Sequence, residues 1–318
     1  MAGAARLTSI LVYSMGEVIG DGLIKLPFVA GLRAAFPEAK IIWCAAKGST
    51  VYAGPLKAVV EGLIDEVITE GPTGAGALDW LPWVKPFGGR TFDLVIDTQE
   101  NLRRSAVARR AGRRVVSAAG RGADWPEAVV DRLAALLAEA APGATLQPLK
   151  LTNSRALEAA NSLLPLGEVY VGFAPGAGGA EKRWPLANYI ALAKLQEAKG
   201  RKPVFFFGPD ETQDLATTRA AMPNALFPES AQAEVKGPLL VIALASRLAA
   251  AVANDAGPGH MLAAGGVPLV SLQRDRRKAV KFRPAAQQLE VLVAEDYGGG
   301  MEALPVDSAA QALERLLA

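Results

Sequence analysis

The chain has 318 residues, of which 51% are hydrophobic and 21% charged, with a formal net charge of +2 and a single cysteine. This length is about twice that of a common domain, so we expect two domains that each bury a core. The composition excludes a disordered or disulfide-stabilised protein, and the weak charge gives no support for a nucleic-acid partner. No stretch approaches the roughly 20 apolar residues of a membrane-spanning helix, and the N-terminus predicts a strand rather than a signal peptide.

Short apolar runs alternate with helix-period segments in the first half of the chain. A strand at 10–13, a helix at 23–35 and a strand at 41–45 form a βαβ unit, and Pro37 ends the helix. The strand at 41–45 contains Cys44, which we expect to be an inert buried thiol. Further strands are predicted at 65–69, 94–97 and 115–118. This alternation predicts a parallel, Rossmann-like sheet.

A segment rich in proline, glycine and alanine, 140–148, predicts a linker, and a second strand and helix series follows it. The domains are therefore expected at 1–148 and 149–305, followed by a final helix in 306–318. The predicted elements of the second series are strand 169–174, helix 186–198, strand 204–207, helix 211–221, a turn or short strand near 226, helix 238–246, strand 249–253, helix 259–265 and strand 268–272.

The loop 14–22 follows the first strand and places an acid, Asp21, where parallel α/β sheets bind ligands. Its glycines, at 16, 20 and 22, do not have the G-x-G-x-x-G spacing of a dinucleotide fingerprint, which disfavours an NAD-dependent oxidoreductase. The alternative role for Asp21 is to cap the next helix.

The second loop, 175–185, is rich in glycine and ends in Lys182, Arg183, Trp184 and Pro185. Backbone N–H groups and Lys182 would suit a diphosphate. The loop lacks the Gly-Lys-Ser/Thr ending of a Walker A motif, which disfavours nucleoside-triphosphate hydrolysis. The alternative interpretation is a solvated turn.

The third loop, 253–266, contains Asp255, a Gly-Pro-Gly turn and His260, the only histidine. A helix N-terminus in this loop would offer free N–H groups and a partial positive charge to phosphate without a metal. The fourth loop, 207–211, ends in Asp210 and Glu211. Either carboxylate could accept hydrogen bonds from both ribose hydroxyls, or could cap the next helix.

Three arginine pairs lie between residues 103 and 114 and include Arg103 and Arg104. They form either a solvated helix face or a dock for an anionic acceptor at a membrane surface. Interleaved aromatic residues are missing, which argues against single-stranded nucleic acid.

Five segments in order make the chain resemble the ADP-heptose:lipopolysaccharide heptosyltransferase family, glycosyltransferase family 9. These are Gly20-Asp21 through Leu26-Pro27 to Phe36-Pro37, Phe92-Asp93-Leu94-Val95-Ile96-Asp97-Thr98-Gln99 with Asn101-Leu102-Arg103, Lys182-Arg183-Trp184-Pro185, Gly208-Pro209-Asp210-Glu211, and Asn254-Asp255 with Gly257-Pro258 and His260. The resemblance implies the GT-B architecture, an α/β fold of two Rossmann-like domains that face each other across a cleft. It also implies that the final helix, 306–318, packs back on the first domain.

The same resemblance implies an inverting, metal-independent transfer without a cofactor. Asp21 would be the catalytic base, Lys182 would contact the donor phosphate, and Asp210 or Glu211 would bind the ribose. Sugar and diphosphate would be held by the loop that contains Asp255, Ala256, Gly257 and His260. The partners implied are a nucleoside-diphosphate sugar such as ADP-heptose and an anionic glycan or glycolipid acceptor that Arg103 and Arg104 would bind. A cytoplasmic location with peripheral contact to the inner membrane surface would follow.

Three departures from the family pattern bear on these expectations. Ala256 replaces a threonine, and a basic loop at 273–278 replaces a Gly-Pro-Thr turn. Counted from the first strand, Glu17 occupies the place of the catalytic acid, whereas the spacing to Pro27 favours Asp21. Two alternative functions stay open: a nucleotide-sugar 2-epimerase, which needs no acceptor, and a non-catalytic protein that binds the nucleotide sugar.

Overall fold

The computed structural model describes residues 7–73, 76, 85–231 and 234–318. The chain forms two compact units, Met1–Pro148 and Leu149–Ala318. The boundary between them lies at the end of the segment for which the sequence predicts a linker.

The first unit contains a five-stranded parallel sheet in the order β3-β2-β1-β4-β5. Both faces of a parallel sheet are covered, and accordingly Ile10, Leu11 and Val12 of β1 are fully buried. All five predicted strands are confirmed, with bounds that shift by up to three residues. The elements are β1 (Ser9–Ser14), α1 (Ile19–Ala35), β2 (Lys40–Ala45), β3 (Glu66–Ile68), β4 (Phe92–Asp97), α2 (Leu102–Arg109), β5 (Gly112–Ser117) and α3 (Val129–Ala140).

The second unit contains another five-stranded parallel sheet, in the order β10-β9-β8-β6-β7. Strand β10 and helix α10 have no counterpart in the sequence prediction, which ends its series at residue 272. The elements are α4 (Ser154–Leu163), β6 (Tyr170–Ala174), α5 (Leu186–Ala198), β7 (Lys202–Phe205), α6 (Thr212–Ala221), α7 (Pro228–Ala231), α8 (Gly237–Ala245), β8 (Ala250–Asn254), α9 (Gly257–Ala264), β9 (Leu269–Gln273), α10 (Arg276–Lys281), β10 (Leu289–Val293) and α11 (Val306–Leu317).

The predicted basic loop, 273–278, is partly helical. Its charged residues begin α10, because the side chain of Asp275 accepts a hydrogen bond from the Lys278 backbone N–H at 2.8 Å and so caps the helix. Gln273 is buried at the end of β9 and donates to Ser271 at 2.8 Å. Part of the segment therefore completes the sheet instead of forming an exposed loop.

The final helix, α11, packs against α5 and strands β8, β9 and β10. Its apolar stripe of Ala309, Ala312 and Leu313 is fully buried in the core on that face of the second sheet. The carboxylate of Glu314 also pairs with Arg201 at 2.6 Å. Helix α11 is thus packed within the core of the second unit, and the expectation that it also packs back on the first domain stays a prediction.

In each sheet the strand order reverses at one place, between β1 and β4 in the first unit and between β6 and β8 in the second. The loops that follow these strands leave in opposite directions and open a crevice at the carboxyl ends of the strands, where α/β proteins bind ligands. Asp21 follows β1, whereas Lys182 and Asp255 follow β6 and β8.

Helix α1 begins at Ile19, four residues before the predicted start, so Asp21 lies in its first turn. The loop before it is held by Glu17, whose side chain is fully buried. The Glu17 carboxylate accepts hydrogen bonds from Ser14 Oγ at 2.5 Å, Lys25 Nζ at 2.8 Å, Thr50 Oγ1 at 2.5 Å and Trp43 Nε1 at 3.3 Å. Burial alone would raise the pKa of Glu17, but the charge of Lys25 and these hydrogen bonds outweigh it and lower the pKa.

Two further contacts fix the start of α1. The Tyr52 hydroxyl donates to the Gly22 carbonyl at 2.7 Å, and a Cβ at Gly22 would collide with the Val51 side chain. Gly16 adopts a φ of +112°, and a Cβ there would lie 2.7 Å from the Lys47 carbonyl oxygen. Only glycine tolerates that conformation without strain. The backbone around Asp21 is therefore held rigidly by groups that surround it.

We predict that Glu17→Gln lowers the free energy of unfolding by roughly 2–4 kcal/mol, because it leaves Lys25 without its anionic partner in a buried network. Because the folded-state pKa of Glu17 is lowered, its contribution is present at neutral pH and is lost as pH falls through the folded-state pKa. Urea unfolding at pH 7 measures the change. Glu61→Gln, at an exposed position, is the matched control and should stay within about 0.5 kcal/mol of wild type. An equally small effect of Glu17→Gln would contradict the structural role.

Candidate functional site

Lys182 and Asp255 meet where the strand order of the second sheet reverses. Lys182 Nζ lies 3.3 Å from Asp255 Oδ2, and the lysine side chain stays 34% exposed while that of the aspartate is 13% exposed. A half-exposed cation held by a mostly buried carboxylate can move to an incoming anion at small cost. The structure thus brings two of the predicted donor-binding residues together.

A buried amide, Asn254, holds the two loops in place. Its Oδ1 accepts hydrogen bonds from the Trp184 backbone N–H at 3.2 Å and from the Tyr189 hydroxyl at 3.0 Å. Its Nδ2 donates to the Pro175 carbonyl at 2.6 Å. The end of β8 is therefore bonded to both ends of the 175–185 loop, so the position of Lys182 relative to Asp255 is fixed by the fold.

Helix α9 begins directly after Asp255 and offers an uncapped N-terminus. The N-cap residue, Ala256, has no side-chain oxygen, so no hydroxyl competes for the first N–H groups. A Cβ at Gly259 would lie 2.9 Å from the Asn254 carbonyl oxygen, so glycine is required for the helix to start this close to β8. Free N–H groups and the positive end of the helix dipole make this a natural anion site beside Lys182.

His260 lies in the first turns of α9 and is 6% exposed. Its Nδ1 atom is buried and has no hydrogen-bond partner within the described structure. Burial, reinforced by the charge of Lys182 and opposed by that of Asp255, lowers the pKa of His260 to about 4. The imidazole is therefore neutral near pH 7 and adds no positive charge to the site.

The two acids after β7 have different surroundings. Asp210 is exposed in the turn, whereas the Glu211 side chain is 12% exposed and accepts a hydrogen bond from the Gly208 backbone N–H at 2.8 Å. Glu211 also points at the second loop, since a Cβ at Gly176 would collide with its carboxylate. Only Glu211 is thus turned toward the loop that carries Lys182.

Arg183 joins the second and fourth loops. Its guanidinium lies 3.6 Å from Glu211 and 3.4 Å from Asp214, and its Nε donates to the Ala177 carbonyl at 3.2 Å. The sequence alone predicts no separate role for Arg183 or Asn254. Asn254 directly follows a run of apolar strand residues. A polar group at such a position is buried and must find hydrogen-bond partners, and this is the signal by which the sequence could have identified it.

In the first unit, the two candidate catalytic acids differ in access. Asp21 is partly exposed in the first turn of α1, and its carboxylate makes no hydrogen bond or ion pair with the other described residues. The Glu17 side chain is inaccessible and bound by four donors. A proton acceptor must reach the hydroxyl it deprotonates, so this comparison favours Asp21.

The arginine pairs divide by role. Arg113 pairs with Asp93 at 3.2 Å, and Arg114 donates to the Ala140 carbonyl at 3.0 Å, so these two hold the fold. Arg103 and Arg104 are exposed in the first turn of α2, where Asn101 caps the helix. Cations at a helix N-terminus are electrostatically unfavourable. Arg103 and Arg104 therefore do not stabilise the start of α2, and both side chains are available to bind an anion.

A cavity of about 410 Å³ opens beside β5 in the first unit, and Arg109 and Arg121 both line it. Arg121 is paired with Glu139 at 2.5 Å, and Arg109 attracts the buried Asp97. Arg103 and Arg104 do not line this cavity.

Cys44 is buried, and desolvation, reinforced by Glu17, raises its pKa to about 12, which makes it an inert thiol.

Within the described ranges, no group of three or more His, Cys, Asp or Glu side chains could hold a metal ion. None of the helices described is both long enough and apolar enough to cross a bilayer.

We predict that the buried, neutral His260 makes the protein less stable in mild acid. The unfolded histidine binds a proton below about pH 6.5, whereas the folded one resists protonation to about pH 4. The stabilisation is therefore present above pH 6.5 and is lost as pH falls toward 4, by up to about 3 kcal/mol. Urea unfolding of wild type and His260→Gln at pH 4.5 to 7.5 measures it. Their difference should change with pH, because every other titrating group is common to both; a constant difference would contradict the prediction.

The family model of glycosyltransferase family 9 (heptosyltransferase) matches residues 83–302. Among solved structures, a family 9 glycosyl transferase from Veillonella parvula is similar with a TM-score of 0.66 and 21% identity, over 99% of both chains. The E. coli ADP-heptose lps heptosyltransferase II has a TM-score of 0.66 and 20% identity over 98% of both chains. The E. coli heptosyltransferase WaaC with ADP has a TM-score of 0.65 and 17% identity, over 97% of this chain and 100% of the other. No curated protein sequence matches this chain.

The two parallel α/β units and the similarity over nearly the whole chain confirm the expected GT-B fold. The family model covers more than half of the sequence and includes the loops that carry Lys182, Glu211 and Asp255. The chain belongs to glycosyltransferase family 9, the heptosyltransferase family, and is a glycosyltransferase.

Proposed function

We propose that this enzyme transfers a heptose from ADP-heptose to a lipopolysaccharide-core or related glycan, with inversion and without a metal ion. The observation that carries the proposal is the pairing of Lys182 with Asp255 beside the uncapped N-terminus of α9. The E. coli structures of the same fold, named for ADP-heptose or for ADP, support the choice of donor.

The diphosphate is bound by charge and by backbone donors. Lys182 exchanges Asp255 for a phosphate oxygen, and the first N–H groups of α9 donate to the same anion. The neutral His260 leaves Lys182 and the helix dipole to stabilise the charge that develops on the leaving diphosphate. Ala256 contributes only backbone, since it has no hydroxyl.

The ribose is bound by Glu211. Its carboxylate is already fixed by Gly208 and Arg183, so it can accept hydrogen bonds from both ribose hydroxyls without a loss of side-chain freedom. Asp210 is exposed and lacks this support.

Asp21 acts as the general base. It takes the proton of the acceptor hydroxyl while that oxygen bonds to the anomeric carbon, and the bond from this carbon to the phosphate oxygen breaks with its electron pair leaving on ADP. General-base assistance of this kind contributes roughly 10²- to 10⁴-fold. Arg103 and Arg104 bind anionic groups of the acceptor, which for a glycolipid lie at the membrane surface.

We predict that ADP binds more tightly than UDP or GDP and that Lys182→Ala weakens ADP binding by about 10- to 100-fold, because a charge-assisted contact is lost. Isothermal titration measures the affinities. Lys194→Ala, which removes an exposed lysine from α5 of the same unit, is the matched control and should bind like wild type. Unchanged ADP binding by Lys182→Ala would contradict the donor site, and a preference for UDP or GDP would reassign the donor.

We predict that Asp21→Asn lowers kcat by roughly 10²- to 10⁴-fold while ADP affinity and stability stay unchanged. A coupled assay for ADP release, run with and without a lipopolysaccharide-core acceptor, measures turnover. Glu17→Gln should instead lose stability, and a kcat loss confined to Glu17→Gln would assign the base to Glu17. Interconversion of the donor without acceptor would indicate an epimerase. Tight donor binding with no turnover of wild type would indicate a non-catalytic binding protein.

A further inference from the structure

The cavity beside β5 in the first unit has a volume of about 410 Å³. This volume lies within the range of about 300–1,000 Å³ that is usual for pockets that bind small molecules. Arg109 at the end of α2, Ser117 of β5, Gly120 and Arg121 of the turn after β5, and Glu139 of α3 all line it. None of the roles proposed above uses Arg109, Arg121 or Glu139.

Arg121 is held in place at the cavity by groups of its own unit. Its Nε donates to the Ser117 carbonyl at 2.8 Å, and its guanidinium lies 5.0 Å from the centre of the Trp125 ring. Its Nη2 pairs with Glu139 at 2.5 Å, whereas Nη1 forms no hydrogen bond with a described residue. A guanidinium that is already fixed in this way loses little freedom when it binds an anion.

Arg109 is a second cation at the cavity, and its charge is poorly balanced. It is exposed and forms no hydrogen bond or ion pair with another residue of the described ranges. It attracts Asp97, but that carboxylate is fully buried and accepts a hydrogen bond from Ser117 Oγ at 2.7 Å instead. The segment 101–123 contains seven arginines and no Asp or Glu. The surroundings of Arg109 are therefore positively charged and attract anions.

The turn after β5 adds backbone donors. Gly120 has a φ of +76°, a left-handed conformation that glycine adopts readily. A turn that includes such a residue can direct successive backbone N–H groups toward an anion. The N–H groups of Gly120 and Arg121 donate to no residue in the described part of the chain, although both residues line the cavity.

Glu139 is the one acid among the described residues that line the cavity. Its side chain is 46% exposed, so its pairing with Arg121 is a surface ion pair. Such pairs contribute little to stability, because water solvates a separated carboxylate well. A stronger anion can therefore replace Glu139 at Arg121 while the Glu139 side chain turns into solvent.

We propose that this cavity is a subsite for the phosphate group of a sugar, bound by Arg109, Arg121 and the N–H groups of the turn after β5. A phosphate monoester carries about −1.5 to −2 charges near pH 7 and three strong acceptor oxygens, so it can neutralise both arginines. A carboxylate carries one charge and does no more for Arg121 than Glu139 already does. The phosphate belongs either to the glycan acceptor or to a free sugar phosphate, and only the first source rests on the proposed function.

An NMR titration of the full chain tests the subsite, because the amide signals of Gly120 and Arg121 report on the cavity itself. The ligands are glucose 6-phosphate, glucuronate as a carboxylate of similar size, and glucose without an anionic group. Glucose 6-phosphate should bind wild type about tenfold more tightly than glucuronate does, and glucose should leave both signals unchanged.

Two variants should change the affinity for glucose 6-phosphate in opposite directions. Arg109→Ala should weaken it by about tenfold, because a charge-assisted contact is lost. Glu139→Gln should strengthen it by about threefold, because the competing carboxylate is removed. The matched control is Arg113→Ala, which removes an exposed arginine that does not line the cavity, and it should stay within about twofold of wild type.

Three results would overturn the subsite. These are glucuronate binding as tightly as glucose 6-phosphate, equal weakening by Arg109→Ala and Arg113→Ala, and weaker binding by Glu139→Gln. Equal weakening would show that only the general positive charge attracts the ligand. Unfolding midpoints of Arg109→Ala and Arg113→Ala within about 3 °C of each other would show that lost affinity does not come from a lost fold.

An assay for ADP release with a phosphorylated and a dephosphorylated lipopolysaccharide-core acceptor distinguishes the two sources. If the acceptor supplies the phosphate, Arg109→Ala should raise KM for the phosphorylated acceptor by about tenfold, with kcat and the dephosphorylated acceptor unaffected. Unchanged kinetics with both acceptors, together with weaker glucose 6-phosphate binding, would assign the subsite to a free sugar phosphate. If the Gly120 signal responds as expected but wild type turns over neither acceptor, the subsite stands and the proposed function is wrong. Turnover without any response of Gly120 would mean the reverse.

Discussion

The hydrogen bonds of Asn254 are the constraint on which the geometry of the proposed donor site depends. One side chain at the carboxyl end of β8 bonds to Pro175 at one end of a glycine-rich loop and to Trp184 at the other. A loop with glycines at 176, 178 and 179 would otherwise sample many conformations at little cost. Because a buried amide left without partners is unfavourable, these bonds form together or not at all. Lys182 is two residues from Trp184, and Asp255 is next to Asn254. The hydrogen bonds of Asn254 therefore hold Lys182 close to Asp255.

In the proposed function, structural and reactive roles fall to different carboxylates that are close in sequence. The Glu17 side chain is fully buried and accepts hydrogen bonds from four donors. The side chain of Asp21, four residues later in the chain, is partly exposed. Glu211 and Asp210 also differ in burial, but here the mostly buried Glu211 is the one proposed to bind the ligand. A carboxylate that fixes a loop must be surrounded by donors, and a carboxylate that accepts a proton from a substrate must not be.

Much of the fold could be predicted from the sequence, because buried parallel strands are apolar runs and the turns between them contain glycine and proline. The prediction failed where tertiary contacts decide the outcome. Strand β10 is only partly buried, with Leu289 and Glu290 both half-exposed, so its pattern resembles that of a loop. The sequence places Lys182, Asp255 and Glu211 after strand ends, as the structure also does, but it could not separate Asp210 from Glu211 or anticipate the contacts of Asn254 and Arg183, because those contacts involve neighbours distant in the chain.

Few cations near the proposed donor site are able to bind a phosphate. His260 is held neutral, Ala256 has no hydroxyl, and Arg183 is committed to Glu211 and Asp214, so Lys182 is the cation beside α9 that can move to a phosphate. Its pairing with Asp255 balances the charge at the start of α9, because neither ion is left unpaired. In the proposed function, a diphosphate that takes over Lys182 would free the Asp255 carboxylate to accept hydrogen bonds from sugar hydroxyls next to the phosphate. One ion pair can thus prepare both the phosphate contact and the sugar contact, and the backbone N–H groups of α9 supply the rest of the positive potential without a second mobile charge.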